Sequence, residues 1–238
     1  MMSGFKKIVR SNASKFYQRI SRGWKRKRFI QFLDLVKPEP GKVVLDLGGG
    51  SGVFFYDNLD LVQKHGLRVI IADISSPDLL KAESRGFEIY QLSDNGFEHM
   101  VDDQFDTIFC NSVIEHVTLP KSEIWDYTAD DFYEKAFEVQ KDFAANIERV
   151  AKKYFVQTPC IDFPLESHSW LPAFYAYPRS RALHVARLKM ISKYWIKATS
   201  PDFNLLDEAQ MHNLFPHAHG VTYNKVLGFS KELIAYRV

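Results

Sequence analysis

Short apolar runs alternate with longer apolar stripes along this chain. Val43–Leu47, Leu67–Ile74, Phe87–Leu92 and Lys153–Thr158 are runs too short for helices, and Phe105–Val117 is a run that passes into a turn. Such runs read as strands buried on both faces. Between them, Phe54–His65 is helical and stopped by Gly66, and Pro77–Arg85 is helical and stopped by Gly86. In Ala129–Lys152, Phe132, Ala136, Val139, Phe143, Ile147 and Val150 repeat at helical spacing and predict a long helix with one core face. Residues 5–36 predict one or two more helices, whose stripe runs from Phe16, Ile20 and Trp24 to Phe29, Phe32, Leu33 and Val36. Near the end, Leu205–Leu214 reads as a helix opened by Asp207 and Glu208. Gly220–Val226 and Lys231–Val238 read as two last strands joined through residues 227–230. Strand–helix alternation of this kind predicts an α/β fold with a mostly parallel sheet.

Two stretches fall outside the alternation. Pro38, Glu39, Pro40 and Gly41 form a rigid break. Residues 159–200 read as an insertion rich in aromatic and basic side chains, with a basic helix over Arg179–Lys193. The expected organisation is a basic N-terminal helical cover at 1–37 and an α/β domain at 38–238.

Charge sharpens this division. Ten of the 31 basic residues lie in residues 1–33, which hold no acid, so the remainder sets 21 basic residues against 29 acidic ones. A basic arm on an acidic body has two readings: a surface for anionic lipid or nucleic-acid phosphate, or a solvated helix packed over a cleft. The two cysteines, Cys110 and Cys160, form no C-x-x-C pair, which points away from a disulfide framework or zinc ribbon. No apolar run reaches a membrane-spanning length, and the N-terminal stretch has no apolar signal core. The expected location is the cytoplasm, with contact to the inner face of an anionic membrane as an added reading.

The chemistry centres on Val43–Phe55, V-V-L-D-L-G-G-G-S-G-V-F-F. A strand runs into a glycine turn and then a helix, where backbone can approach a ligand closely. The dinucleotide fingerprint G-x-G-x-x-G fails here, because Val53 or Ser51 stands where a glycine is required. What is present is D-x-G-x-G-x-G over Asp46, Gly48, Gly50 and Gly52. That spacing resembles the first motif of the class I S-adenosylmethionine-dependent methyltransferases. The resemblance implies a Rossmann-like, seven-stranded sheet ending in an antiparallel hairpin, with S-adenosylmethionine as cofactor. It implies that Gly48, Gly49, Gly50 and Gly52 wrap the methionine part of the cofactor above Asp46. Asp73 closes the second strand about 20 residues beyond the turn, where a carboxylate can accept both ribose hydroxyls. Ile74 beside it, Asp94 and Asn95 after the third strand, and Asn111 at the end of the fourth complete the expected cofactor set.

The fourth run, F-D-T-I-F-C-N-S-V-I-E-H-V, resembles the corresponding motif of the same superfamily, including its Glu-His pair. The D/N-P-P-Y/F signature of base-amine methylation is missing, which argues against a nucleic-acid base as acceptor. His116 is the candidate general base near the transferred methyl, or a structural histidine under the cofactor. Glu115-His116 lacks the second histidine of H-E-x-x-H, and His212, His217 and His219 lack a partner at ligand spacing, so no metal is expected. The stretch Q-T-P-C-I-D-F-P-L-E-S-H-S-W-L-P resembles a motif of bacterial methyltransferases encoded with surface-polysaccharide genes. Phe163, Pro164, Glu166, His168 and Pro172 keep that pattern, while Cys160 replaces an asparagine. Glu166 and His168 then orient an acceptor hydroxyl or take its proton, or else pin the insertion. Tyr17 and Trp170 are candidates for closing the cleft against water. The expected reaction is methyl transfer, at oxygen, to a small-molecule or lipid-linked saccharide acceptor. An RNA methyltransferase using the basic arm, or a cofactor-binding protein without turnover, are the alternatives.

Overall fold

The computed structural model describes residues 22–93, 96–124, 126–168, 170–173 and 202–238. Asp94, Asn95, Tyr17 and the basic stretch Arg179–Lys193 lie outside the described residues. The first described element is helix α1 (22–36). It continues through β1 (Val43–Leu47), α2 (Val53–Tyr56), α3 (Leu59–Lys64), β2 (Arg68–Asp73), α4 (Ser76–Ser84), β3 (Glu88–Gln91) and β4 (Phe105–Asn111). A 3₁₀ turn, Ile114–His116, follows β4. The long helix α5 (Ala129–Val150) leads into β5 (Ala151–Pro159), and α6 (Glu208–Leu214), β6 (Gly220–Val226) and β7 (Phe229–Arg237) close the fold. The seven strands form one sheet in the order β3-β2-β1-β4-β5-β7-β6. The first five are parallel, and β7 pairs antiparallel with both β5 and β6.

The sheet separates two apolar layers, as the period-2 alternation of strand side chains requires. On one face, Leu45, Leu47, Ile108 and Tyr154 pack against Ala144, Ile147 and Val150 of α5 and Met211 and Leu214 of α6. On the other face, Val44, Phe109, Phe155 and Ile234 pack against Phe29, Phe32, Leu33 and Val36 of α1 and against Phe54 and Phe55. Six phenylalanines dominate this second layer, with ring centroids 4.8–6.1 Å apart and mostly edge-to-face. The apolar stripe of α1 is therefore part of the core. Its polar side is tied to the body by ion pairs: Lys25 with Asp57 at 3.0 Å, Arg26 with Asp60 at 2.7 Å, and Arg28 with Glu232.

Four boundaries differ from the sequence reading. The helix expected over Phe54–His65 is two helices, because the buried Asn58 turns back: its side-chain amide donates to Phe54 O at 2.8 Å and its backbone N–H to Phe55 O at 3.0 Å. The helix expected from Leu205 starts at Glu208. Asp207 caps it in a reciprocal box with Gln210, and Leu206 is used instead to bridge Cys160. The last strand begins at Phe229, since Leu227 and Gly228, both at positive φ, form a two-residue hairpin turn. The fifth strand begins at Ala151, where the long helix passes into it without a loop.

Candidate active site

The carboxyl ends of β1, β2, β4 and β5 share one edge of the parallel sheet, the edge where open α/β sheets bind ligands. The glycine turn leaves β1 there. Gly48 and Gly49 donate to Ala72 O at 2.8 and 3.1 Å, and Gly50 N–H donates to Asp73 Oδ2 at 2.8 Å. A side chain is excluded at two of these positions for different reasons. Gly48 sits at φ +73°, and a Cβ there would meet Val113 at 2.5 Å. Gly49 has ordinary φ, but its Cβ would meet Asp46 Oδ2 at 2.4 Å. The turn thus lies flat on the Asp46 carboxylate.

Asp46 is 2% exposed, and its Oδ2 is buried without a hydrogen-bond partner. Burial, reinforced by the negative charge of Asp73, pushes its pKa up to about 8. Asp73 itself clamps the turn. Its Oδ2 takes Gly50 N–H and its Oδ1 takes Ser75 N–H at 2.8 Å. Ile74 beside it, just past the carboxyl end of β2, is 65% exposed. Asn111, at the end of β4, accepts from Arg28 Nη1 at 2.6 Å.

A cavity of about 370 Å³ opens over the turn. Its walls include Asp46, Gly48, Gly49 and Asn111, which the sequence reading named. They also include Trp24, Arg28 and Lys231, which it did not assign to the site. Helix α1 supplies Trp24 and Arg28, and Lys231 of β7 lies 4.1 Å from the Trp24 ring centre. Arg28 Nε is buried without a partner. Only the fold brings these three residues to the glycine turn; Arg28 left a trace in the acid-free basic run at the N-terminus and Trp24 in the apolar stripe, whereas Lys231 left none.

A second polar group stands on the carboxyl edges of β4 and β5. Glu166 is 2% exposed, and its Oε1 accepts the backbone N–H of His168 at 2.6 Å and lies 2.7 Å from His168 Nδ1. His168 Nε2 is 3.1 Å from His116 Nε2. The His168 ring stacks on Phe203 at 4.5 Å and meets the His116 ring edge-on at 4.8 Å. A narrow loop holds Glu166 in place: Glu166 N–H donates to Leu171 O, Ala173 N–H donates to Pro164 O, and Leu165 bridges Pro172. Beneath the histidines lies Glu115, fully buried and absent from the sequence-based site. Its Oε2 accepts from Thr158 Oγ1 at 3.0 Å, and burial raises its pKa to about 7. Asn204 N–H donates to Glu115 O, and Gln140 bridges Ile114 O and Asn204 O, so segment 202–206 is stitched to the 3₁₀ turn. The structure thus brings the local pair Glu166 and His168 together with His116, 52 residues away in sequence.

A protein-family model described as a methyltransferase domain matches residues 17–189. The chain belongs to this family. It is a methyltransferase with S-adenosylmethionine as methyl donor. No curated protein matches it. Solved methyltransferases share its architecture. A structure of the Haloferax volcanii Trm112 methyltransferase activator in complex with a methyltransferase aligns over 91% of this chain and 89% of its own, with 14% identity and a TM-score of 0.53. The cyclopropane synthase MmaA2 of Mycobacterium tuberculosis and the mycolic acid cyclopropane synthase CmaA1 each align over 82% of this chain and 62% of theirs. Their identities are 13% and 14%, and both TM-scores are 0.51. At these identities the likeness is one of fold: a Rossmann-like methyltransferase sheet ending in an antiparallel hairpin. Among the described residues no helix is long and apolar enough to cross a membrane.

Proposed function

We propose that this methyltransferase methylates a hydroxyl of a small or lipid-linked saccharide. The observation that carries this reading is the hydrogen-bonded chain Glu166–His168–His116, ending in an imidazole on the exposed side. An amine acceptor in its free-base form needs no proton acceptor, whereas a hydroxyl does. The saccharide class rests on the resemblance of the Thr158–Pro172 stretch to polysaccharide-associated methyltransferases.

The cofactor fits the first cavity on its own terms. The glycine turn lines the cavity with bare backbone through Gly48 and Gly49, and Asp46 Oδ2 is a buried acceptor with no partner, suited to the α-ammonium of the methionine part. Arg28, with its unpartnered Nε, and Lys25 suit the α-carboxylate. Asp73 keeps lone pairs for the ribose hydroxyls after accepting its two backbone donors, and Ile74 offers an apolar face to the adenine. Asp94 and Asn95 are proposed to line the adenine end. The cofactor supplies an already activated sulfonium methyl, so the chain's task is alignment, which is worth up to about 7–11 kcal/mol of barrier in favourable cases. Glu166 fixes the His168 ring and its tautomer. His168 and His116 hold the proton that leaves the acceptor oxygen.

Three of the five described bases of the arm, Lys25, Arg26 and Arg28, pair with acids of the same chain. That arrangement favours the cleft-covering reading of α1 over an RNA-binding one. A cytoplasmic location, with contact to the inner membrane face, is the setting proposed for a lipid-linked acceptor.

The test is transfer of a labelled methyl group from S-adenosylmethionine into saccharide and lipid-linked saccharide extracts. It is run beside calorimetric titration with S-adenosylhomocysteine. Label in a base-labile or amine product, or in RNA, would overturn the hydroxyl reading, and absence of cofactor binding by folded protein would overturn the cofactor assignments.

A further inference from the structure

We infer that Glu115, His116 and His168 form a binding site for one divalent first-row transition metal ion. Their ligand atoms all lie within 4.8 Å of one another. Two imidazole Nε2 atoms face each other at 3.1 Å. Two nitrogens bound to one ion at 2.0–2.1 Å with a tetrahedral angle stand about 3.3 Å apart, so the pair is already close to ligand spacing.

The surroundings are those that a metal site needs. A ligating histidine usually gives its other ring N–H to a carboxylate, which fixes the tautomer and turns the free lone pair toward the ion. His168 Nδ1 lies 2.7 Å from Glu166 Oε1, and stacking on Phe203 fixes the plane of the ring. Glu115 is anchored through Oε2 by Thr158, while its Oε1 is buried, has no hydrogen-bond partner, and lies 4.0 Å from His168 Nε2. A simple hydrogen bond between the imidazoles accounts for the two nitrogens but leaves this buried oxygen without a function. An ion between the three atoms accounts for all of them.

The donor set names the class of ion. Two imidazoles and one carboxylate suit Zn²⁺, Co²⁺ or Fe²⁺, whereas Mg²⁺ and Ca²⁺ favour all-oxygen shells. Three protein ligands leave a coordination position open, and His116 lies on the exposed side of the group. The role of the ion, unlike its site, rests on the methyl-transfer reading. The acceptor oxygen would bind at the open position, where the ion's charge lowers its pKa. The O–H proton then passes to water. The oxygen's electron pair forms the O–CH₃ bond, and the C–S bonding pair stays on sulfur, giving S-adenosylhomocysteine. The ion in this way does for the hydroxyl what the metal-free imidazoles would do as bases.

The experiment uses the full chain, stripped with a chelator and titrated with Co²⁺ while visible d–d absorption is followed. The same samples are titrated with S-adenosylhomocysteine. One Co²⁺ per chain is expected, with the absorption lost in His116→Gln and in His168→Gln and binding weakened about 10-fold or more in Glu166→Gln. Zn²⁺ should displace the Co²⁺. His116→Gln lies on the exposed turn and guards against misfolding, and unchanged S-adenosylhomocysteine binding by each variant shows that its fold is intact. A chain that binds S-adenosylhomocysteine but no Co²⁺ overturns the metal site and leaves the methyl-transfer reading standing. Co²⁺ binding that survives both histidine substitutions also overturns it, because the ion then sits elsewhere. Co²⁺ bound at the histidines without S-adenosylhomocysteine binding upholds the metal site and sinks the cofactor assignments.

Discussion

The two polar centres on the carboxyl edge of the sheet are built in opposite ways. The cofactor centre is mostly backbone. Gly48–Gly52 and Asp46 are contiguous, and the neighbouring strand contributes Asp73 as a clamp on Gly50. Its shape depends on side chains being absent, as the 2.4 Å clash of a Cβ at Gly49 with Asp46 shows. The Glu/His centre is all side chain. Its groups come from the 3₁₀ turn after β4, from β5 and from the loop beyond it, and segment 202–206 is stitched in from behind. A backbone-built site tolerates change around it but not within it. A site built of side chains depends on every strut that orients them.

The largest expected effect separates the two centres. His116→Ala should lower the rate of labelled methyl transfer by about 10²–10⁴-fold, the range for loss of a positioned acid–base group. S-adenosylhomocysteine affinity, measured by calorimetry, should stay within twofold. A matching loss of affinity would mean that the centres are one site. Next comes the strut that joins α1 to the cavity. Arg28→Ala leaves the buried Glu232 carboxylate without its cation, which should cost about 3 kcal/mol of stability in urea unfolding. Glu232 keeps its bond from Asn224 Nδ2 at 2.9 Å, which moderates the loss. Gly49→Ala should cost about 1–3 kcal/mol, the range for overpacking. The cost should appear as weaker S-adenosylhomocysteine binding while methyl-acceptor binding is unaffected.

The last effect is carried by a proton. The pKa of Asp46 is raised to about 8 in the folded protein and is about 3.9 in an unfolded chain. A carboxyl with a raised folded-state pKa holds its proton in the native state while the unfolded chain has lost it. Its contribution to stability is therefore greatest below about pH 4, declines as pH rises toward 8, and is flat above. Urea unfolding between pH 5 and 9 should show this decline in the wild type and less of it in Asp46→Asn. A cationic ammonium placed beside Asp46 favours its ionised form. Cofactor binding below pH 8 should then release up to one proton, read from calorimetry in two buffers of different ionisation enthalpy. Equal proton release by Asp46→Asn would place the ammonium elsewhere.

The contrast between the centres also explains what could be read in advance. The glycine turn was legible because strand, turn and helix follow one another directly, so their spacing in sequence is their spacing in space. Glu166 and His168 were legible as a pair for the same local reason. Their meeting with His116 was not, since 52 residues, including α5 and β5, separate the histidines. Glu115 was read as one half of a Glu-His motif. Only its burial beneath Thr158 and the orphaned Oε1 made it a candidate ligand. Asn58 looked like an ordinary helical polar residue, and its burial turned it into the breaker of that helix.

The sequence by itself determined the order of strands and helices, the parallel α/β class and the glycine turn with its acid. These follow from periodicity and from local steric rules, which act between near neighbours on the chain. The tertiary structure decided which distant side chains share an edge: α1 over the cavity, Arg28 between Asn111 and Glu232, and Glu115 under two facing imidazoles. Those pairings follow from the sheet order β3-β2-β1-β4-β5-β7-β6, which sets β1 beside β4 and β4 beside β5. Burial along that edge then fixed which polar groups were left without a partner.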